Sequence, residues 1–565
     1  MILRLLKKLF TGRFTINATL LIAVFSLLSR VLGLLRSTLM AAFYGATESQ
    51  GFADCYAVSF KLPDIIFNLI VSGVISVVLV PYFSSLLVAH RDRDRGTDKD
   101  TDSGTDRDSE KQRKIEKERK IEKEAELDAI NRGCSNFLNI FFILLAVFNI
   151  AAYIFTPYFV RVHLVPGWTD QVNIELTIKM TRILLLQVLF MTMSGVFSSY
   201  LNSLEKFFYY SVALLSYNIG IILGITLFGK FMSIEGVAWG AVLGSFMQFF
   251  IQFIGARISG FKYHFRLPIV NREIVHLFGI AVPRIIALGG EQFVKFQLVN
   301  FGSFIFTGAI FIFESAENFG MVPYGMIAVS ISVTVFPLFS KLFARGEFNR
   351  AFYALFHHIR MALFYMVFIS ICIIVYRVQL IDLLIGYNRF TANDIKLTAD
   401  ALAYFMIGIP FFSLSIIIVR YLYAQKISIA PMIFTLISVV VTVFSAKALI
   451  PTLSVSALSA GRSAGYVVQF VLMISMIVIH TVTKYRPITI PYGQIRQILL
   501  IILANGVILL GGIYLEKFAQ INIAGKLSPL LEGLIGAVVL SISYYLITAL
   551  MGIEDSKKLL KKFTG

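Results

Sequence analysis

Two arginines lie inside the first long apolar run of the chain, in the segment 26-SLLSRVLGLLRSTL-39. On insertion scales, an arginine at the centre of a bilayer costs roughly 2.5–3.5 kcal/mol. On a helical wheel, Ser29, Arg30, Gly33 and Arg36 fall within an arc of about 120°. Because the arginine fork can bind phosphate through two parallel hydrogen bonds, this polar stripe predicts a water-filled cationic cavity for an anion. The alternative is that both arginines are buried against carboxylates of neighbouring helices, purely for assembly.

A second pair of charged residues follows in 52-FADCYAVSFKLPDIIFNLI-70. Asp54 and Lys61 are seven residues apart and therefore share a helix face, and Pro63 breaks or kinks the helix just beyond them. We expect Lys61 to contribute another cation to the anion site, and Asp54 to hold one of the cationic groups when no substrate is bound. The alternative is that both are ordinary charges at a helix end.

Further ionisable residues occur in later apolar segments: Lys179, Arg182, Arg284, Glu291, Lys295, Glu314, Glu317, Arg420 and Arg462. Such residues are rare in membrane spans, and they are paired or functional where they occur. Four of them are predicted to form structural pairs or to couple transport to an ion: Glu291, Lys295, Glu317 and Arg420. Basic residues outnumber acidic ones in these segments, which favours an anionic substrate over a cationic drug.

An all-α polytopic membrane fold must position these residues. Of the 565 residues, 57% are hydrophobic and 15% are charged, and the mean hydropathy of +0.78 excludes an ordinary soluble domain. Long apolar runs without barrel-type alternation predict about fourteen transmembrane helices. They lie near 16–44, 52–88, 135–158, 174–202, 207–228, 232–256, 273–301, 304–340, 350–377, 392–424, 428–450, 453–481, 494–515 and 527–552. The sequence has no P-loop, nucleophile elbow or metal-ligand cluster, so we expect a transporter without a cofactor rather than an enzyme.

An internal repeat organises these spans. The segment 78-VLVPYFSSLL-87 resembles 333-VTVFPLFSKLF-343, and 200-YLNSLEKF-207 resembles 421-YLYAQKIS-428. We therefore predict two parallel-repeat lobes of six helices each around a central cavity, over residues 1–256 and 257–486. A C-terminal helix pair and a basic tail, residues 487–565, complete the chain.

A charged tract over residues 90–133 interrupts the first lobe. It has 13 basic and 14 acidic residues and is nearly neutral, so nucleic-acid binding is not expected. Its first half is predicted to be disordered and its second half to form a solvated helix, together a tolerated cytoplasmic insertion. Lysine and arginine cluster in the loops after even-numbered spans, which predicts that both termini are cytoplasmic.

The segment 29-SRVLGLLRSTLMAAFYGATESQGFADCYAVSFKLPDII-66 resembles the N-terminal signature of the MurJ/MviN lipid II flippase family. In that signature, S-R-V-L-G-x-x-R precedes F-K-L-P. Weaker similarities follow in the same order along the chain, at 201-LN-202 with Lys206, at 386-GYNRFTANDIKLTADAL-402 and at 420-RYLYAQKISIAP-431. The similarity extends along nearly the whole chain apart from 90–133.

The resemblance implies a fourteen-helix fold of the multidrug/oligosaccharidyl-lipid/polysaccharide exporter superfamily. It also implies that lipid II is carried from the inner to the outer leaflet of the bacterial cytoplasmic membrane by alternating access. In the family, a cationic cavity binds the diphosphate and sugar head, and the last two helices are thought to take the polyprenyl tail. Carried over to this chain, Arg30, Arg36, Asp54 and Lys61, with the neighbouring Ser29, become the substrate-binding residues. The expected partners are lipid II, membrane lipids and cell-wall synthesis proteins, around a monomer driven by the membrane potential or a monovalent ion.

The sequence departs from the family pattern at three positions where the family has arginine: Phe67, Asn68 and Asn318. We expect Arg284, or Lys295, to substitute for the missing cations. The alternatives within the superfamily are an exporter of an O-antigen-type lipid-linked sugar and a drug exporter. From other classes, a glycosyltransferase would need an acid/base pair near a polar loop, and a scaffold would need no polar stripe around Arg30.

Overall fold

The computed structural model describes residues 18–47, 50–72, 79, 82–83, 108–265, 272–484, 490–522 and 529–557. The regular structure of these residues is helical, and none of them lies in a β-strand. A helix satisfies its backbone hydrogen bonds internally, as the interior of a bilayer demands. The α-helices, in chain order, are α1 (Ala18–Tyr44), α2 (Phe52–Ser59), α3 (Lys61–Ile66), α4 (Asp108–Tyr158), α5 (Gln171–Ser203), α6 (Phe207–Leu223), α7 (Gly229–Met232), α8 (Glu235–Ile258), α9 (Arg272–Gly302), α10 (Ala309–Pro323), α11 (Val329–Ala344), α12 (Phe348–Val375), α13 (Arg377–Ile385), α14 (Ala392–Ala424), α15 (Ile429–Leu453), α16 (Ser456–Lys484), α17 (Tyr492–Asn522) and α18 (Pro529–Leu550). Short π-helical segments follow α3, α4, α6 and α10, over Phe67–Ser72, Phe159–Leu164, Gly224–Phe228 and Tyr324–Ala328.

Within the described part of the chain, 12 helical segments are long and apolar enough to cross a membrane. Each corresponds to one of the predicted spans, which confirms the polytopic helical fold class. The remaining two predicted spans are the second, which is described continuously only as far as Ser72, and the seventh, which is helical throughout α9. The count of fourteen stays a prediction.

The first of two compact units comprises Met1–Leu39, Val58–Val162 and Gln171–Gly289. Its largest described core is aromatic: Phe83, Phe137, Phe141, Phe197 and Tyr200 are buried together. In the same unit, α6 and α8 meet at glycines. A Cβ atom added at Gly240 would lie 2.5 Å from the Cα atom of Gly224, the first residue of the π-helical segment that follows α6, so small residues allow a close approach here.

The charged tract contributes to this first unit more than the sequence suggested. Its second half is helical as predicted, because α4 runs without a break from Asp108 into the third span. Its end, however, is not a dispensable loop. Asn131 is 2% exposed, accepts a hydrogen bond from the Tyr200 hydroxyl at 3.0 Å and donates one to the Gly260 carbonyl at 3.1 Å. The predicted boundary at residue 133 is therefore too late, and residues 90–107 lie outside the described part.

The second unit comprises Met40–Ala57, His163–Asp170 and Gly290–Gly565. Its boundaries differ from the predicted lobes because short connecting segments are held by side chains within this unit. Thr47 donates a hydrogen bond to Asp394 at 2.7 Å, and Asn300 donates one to the His163 carbonyl at 2.6 Å. Residues 257–289, assigned from the sequence to the second lobe, belong instead to the first unit.

The last two helices are part of this second unit rather than a separate domain. On α18, Tyr544 donates a hydrogen bond to the Phe364 carbonyl of α12 at 2.8 Å and stacks on Phe368 at 4.3 Å. Just after α18, Glu554 and Asp555 form ion pairs with the fully buried Arg360 at 2.6 and 3.0 Å. These contacts anchor the C-terminal pair to α12.

The two units share a repeated backbone geometry. Glu205 and Lys426 end corresponding helices with φ of 60° and 63°, and Ser233 and Ser454 have φ of 52° and 49°. Both pairs are separated by about 221 residues, the offset between the YLN and YLY segments in the sequence. Non-glycine residues rarely adopt positive φ, so their recurrence at one offset supports the predicted repeat. Most of the first segment of the other predicted pair, 78–87, lies outside the described part.

Candidate functional site

The residues of the polar stripe on α1 have two different environments: Ser29 packs against a neighbouring helix, and Arg30 is exposed. Ser29 donates a hydrogen bond to the Leu214 carbonyl at 3.0 Å, and Asn218 donates to the Ser29 carbonyl, also at 3.0 Å. These bonds hold α1 against α6, so the structure assigns Ser29 to packing rather than to the substrate contact predicted from the sequence. Arg30 is exposed and Arg36 is half-buried on the same helix. The two cations of the stripe therefore differ in exposure along α1.

Lys61 begins α3 and is half-buried. The two positions where the family pattern has arginine follow on the next turns. Phe67 starts a π-helical segment, and the Asn68 amide donates a hydrogen bond to the Asp64 carbonyl at 2.9 Å. Asn68 therefore bonds to its own helix and contributes no charge in place of the missing arginine.

Asp54 has a different role from the predicted one. Its side chain is 0% exposed, and its two oxygens accept hydrogen bonds from the backbone N–H groups of Gly308 at 2.6 Å and Phe311 at 2.8 Å. These groups lie at the start of α10, where the first N–H groups of a helix have no partner within the helix. Asp54 thus caps α10, and the carboxylate complements the positive end of the helix dipole. The prediction that it holds a substrate-site cation is replaced by this capping role.

A largely buried charged cluster of the second unit joins three helices. Arg462 on α16 forms ion pairs with Glu291 on α9 at 3.2 Å and with Glu317 on α10 at 2.9 Å. The exposed fractions of the three side chains are 4%, 31% and 13%. A buried arginine with carboxylates on either side is compensated for its loss of hydration. From the sequence, Glu291 and Glu317 were predicted to form structural pairs or to couple transport to an ion, but Arg462 was not identified as their partner.

Aromatic rings surround this cluster. The Arg462 guanidinium lies 5.4 Å from the ring centre of Tyr466, which stacks on Phe412 at 4.3 Å, and Phe412 in turn stacks on Tyr324 at 4.7 Å. Among the described residues, the Nε atom of Arg462 and the hydroxyl of Tyr466 are buried without a hydrogen-bond partner. Nothing in the sequence distinguished Tyr324 and Tyr466 from other residues, since their only signal was an aromatic side chain within an apolar run.

The remaining predicted site residues are dispersed. Lys295 is half-buried one turn after Glu291 on α9. Arg420 donates a hydrogen bond to the Ser332 hydroxyl at 3.0 Å and lies 5.7 Å from the ring centre of Phe336. Arg284 lies within α9, but its side chain is outside the described part, so its predicted role as a substitute cation stays a prediction.

Two further observations concern ligands at these positions. Asn318, where the family pattern has arginine, is exposed beside Glu317. In the part of the chain that the structure describes, no group of three or more His, Cys, Asp or Glu residues is arranged to hold a metal ion. The charges described at these positions are the exposed Arg30 and the half-buried Arg36 on α1, and the two carboxylates paired with Arg462.

The family model of the lipid II flippase MurJ matches residues 116–524. The chain belongs to the lipid II flippase MurJ family. Among its relatives, a probable lipid II flippase MurJ of Rhizobium meliloti is 22% identical over 457 residues, which cover 80% of this chain and 78% of the relative. A lipid II flippase MurJ of Burkholderia cenocepacia is 22% identical over 460 residues, covering 80% and 81%. Membership in the MurJ family confirms the resemblance found in the sequence and the prediction of a transporter rather than an enzyme.

Solved structures agree with the fold of the MurJ family. A lipid II flippase MurJ in an inward closed conformation aligns with a TM-score of 0.70 at 20% identity, covering 94% of this chain and 98% of that structure. An inward-facing multidrug resistance MATE family transporter of the MOP superfamily aligns with a TM-score of 0.62 at 14% identity, covering 80% and 95%. These likenesses concern the fold alone. Together with the apolar helices, membership in the MurJ family makes this chain a multi-pass protein of the bacterial inner membrane.

Proposed function

We propose that this chain translocates lipid II from the inner to the outer leaflet of the bacterial cytoplasmic membrane by alternating access, with both termini in the cytoplasm. The observation that carries the proposal is the match of the MurJ family model to residues 116–524. The charge pattern of α1 agrees with it. A diphosphate is a doubly anionic group, and exposed arginine is well suited to binding it bidentately.

The proposed binding step uses Arg30 and Arg36, which are six residues and ~9 Å apart along the helix axis. That separation allows each guanidinium to contact a different part of a diphosphate-linked headgroup, with Lys61 contributing a further cation. Ser29 and Asp54 are left out of the proposed contact, because their side chains already bond to the Leu214 carbonyl and to the start of α10.

For energy coupling, we propose the membrane potential as the main driving force. An anion leaving an inside-negative cell gains about 2.3 kcal/mol per charge per 100 mV. Glu291 was the candidate ligand for a monovalent cation, but both Glu291 and Glu317 are paired with Arg462. The arginine supplies the positive charge that a bound cation would otherwise bring to these carboxylates.

The test is complementation in a bacterium whose own lipid II flippase can be switched off, with growth and outer-leaflet lipid II as readouts. Wild type is expected to restore both readouts. Arg30→Ala and Arg36→Ala are expected to be inserted normally but to fail, whereas Arg345→Ala, which changes an exposed arginine at the end of α11, is expected to function. A well-expressed wild type that restores neither readout would overturn the proposal. A fully active Arg30→Ala variant would instead remove Arg30 from the binding site.

A second candidate is export of another lipid-linked saccharide. The observation that favours it is the loss of the family's arginines at Phe67, Asn68 and Asn318, which changes the charge available to the headgroup. Restoring O-antigen export in a second strain that lacks its own O-antigen flippase, without restoring lipid II translocation in the first strain, would select this alternative.

A further inference from the structure

The first unit contains a groove along α4 and α5 that is separate from the polar stripe of α1. One part has a volume of about 710 Å³, and its lining includes Asn149, Tyr153, Lys179, Arg182 and Trp239. The other part has a volume of about 760 Å³ and is lined mainly by phenylalanine and leucine. Both parts border Leu186 and Leu189, so they adjoin along α5. The groove therefore has one polar end and one apolar end.

The polar end carries two cations, Lys179 and Arg182, which differ in how fully other side chains neutralise them. Lys179 forms an ion pair with Glu235, the first residue of α8, at 2.8 Å. Arg182 donates one hydrogen bond from Nε to the Tyr153 carbonyl at 3.3 Å, and its guanidinium lies 4.5 Å from the Tyr153 ring centre. Among the described residues, the structure gives the terminal nitrogens of Arg182 no hydrogen-bond partner. Arg182 is thus a positioned cation that can bind an anion at the groove.

An unpartnered amide lies one turn of α4 further along the same groove. Asn149 is 9% exposed, and both polar atoms of its side chain are buried without a hydrogen-bond partner in the described part of the chain. Its neighbours on α4, Leu145 and Ala152, belong to a buried apolar cluster that also includes Leu185. Leaving an amide unbonded in such surroundings is costly, which points to a ligand with a polar group at this depth.

We propose that this groove binds an anionic phospholipid. Its phosphate would pair with Arg182, an ester carbonyl would accept a hydrogen bond from Asn149, and an acyl chain would lie along the phenylalanine-lined part. The spacing supports this order, because Asn149 and Tyr153 are four residues, or ~6 Å, apart along α4. The polar end also lies beside the start of α8, on the side predicted to face outward, where the headgroups of the outer leaflet lie. Basic pockets between membrane helices are a recognised means of binding such headgroups.

The position of Asn149 favours a phospholipid over a polyprenyl diphosphate. A phospholipid carries ester carbonyls just below its phosphate, and the Asn149 amide needs an acceptor at that depth. A polyprenyl chain continues from its diphosphate as hydrocarbon and would leave the same amide unbonded. The proposed lipid is therefore a membrane component distinct from the transported substrate, and the inference does not depend on the transport function.

The experiment is native mass spectrometry of the purified full chain with phosphatidylglycerol or phosphatidylethanolamine of identical acyl chains. Wild type is expected to bind phosphatidylglycerol several-fold more tightly. Arg182→Gln is expected to abolish that preference. Asn149→Leu is expected to weaken the binding of both lipids by a similar factor. The matched control is Arg132→Gln, which removes an arginine of α4 that does not line the groove and pairs with Asp128 at 3.1 Å. This control should leave the preference unchanged.

A second measurement locates the bound lipid. The chain has two tryptophans, so Trp168→Phe leaves Trp239, which borders the polar end, as the only reporter. Phosphatidylglycerol with brominated acyl chains, added at equimolar amounts in detergent, is expected to quench Trp239 less in the Arg182→Gln background. Equal binding of the two phospholipids by wild type, or an Arg182→Gln variant that keeps both its preference and its quenching, would overturn the proposal. So would an undecaprenyl diphosphate signal that is lost in Arg182→Gln while phosphatidylglycerol binding persists.

Discussion

Arg462 joins Glu291 and Glu317, two carboxylates from separate helices, at distances of 3.2 and 2.9 Å. Three helices, α9, α10 and α16, therefore meet at one guanidinium within the second unit. Because Arg462 is almost fully buried, the stability of the cluster depends on charge compensation rather than on exposure to water.

Removal of Arg462 alone is expected to be strongly destabilising. Arg462→Met leaves two carboxylates close together in an enclosed site, and breaking a buried pair in this way costs about 3–5 kcal/mol. The expected result is a marked fall in the midpoint of thermal unfolding in detergent. In the control, Glu291→Gln and Glu317→Gln are added to Arg462→Met, and much of the loss should be recovered because no uncompensated charge remains. A single Arg462→Met variant as stable as wild type would contradict the assigned pairing.

Asp54→Asn is expected to lower the stability of the fold rather than to act directly on substrate binding. The amide keeps one oxygen but presents an NH₂ group to a backbone N–H of α10, which leaves a buried donor unbonded at a cost of about 1–3 kcal/mol. Thermal unfolding should therefore shift downward. The matched control is Lys61→Gln, whose half-buried side chain should leave the unfolding midpoint nearly unchanged. If Asp54→Asn unfolds like wild type but fails in complementation, Asp54 acts at the substrate site instead.

Replacing glycine with alanine is expected to have opposite effects at closely packed and at open positions. A Cβ at Gly240 would lie 2.5 Å from the Gly224 Cα, and one at Gly461 would lie 2.6 Å from the Ala446 Cβ. Gly240→Ala and Gly461→Ala should both lower the unfolding midpoint, since helix backbones would have to separate. Gly506 on α17 has no atom within 4 Å of an added Cβ. Gly506→Ala should therefore be neutral or stabilising by up to about 1 kcal/mol, through helix propensity alone.

Two deletions of different length distinguish the dispensable part of the charged tract from the part that contributes to the core of the first unit. Removal of residues 90–126 is expected to leave a folded, active protein. Removal of 90–133 should not, because it takes away Asn131 and with it the hydrogen bonds to Tyr200 and Gly260. Asn131→Leu, which keeps the tract intact, should reproduce part of the loss in thermal stability. If both deletion variants were equally active, the whole tract, including Asn131, would be a dispensable insertion.

Much of the fold follows from the sequence because the bilayer restricts the choices. Apolar runs of span length must be helical for their backbones to be satisfied, and their positions can be read directly. The repeat was also visible, since the offset between the YLN and YLY segments is the one at which Glu205 and Lys426 adopt left-handed backbone conformations. The glycines spaced four residues apart on α8 and α16 are likewise typical of close helix packing, which the structure has.

The sequence by itself determined which residues carry charge inside the membrane, namely Arg30, Arg36 and the members of the Arg462 cluster. Only the tertiary structure decided what each charge meets. Asp54 caps a helix that begins more than two hundred residues later, and Arg462 meets carboxylates 145 and 171 positions away. Helical periodicity describes a single helix and the direction of its side chains, but it contains no information about which other helix lies opposite. That choice depends on packing across the whole unit, and it separates a substrate-facing charge from a structural one.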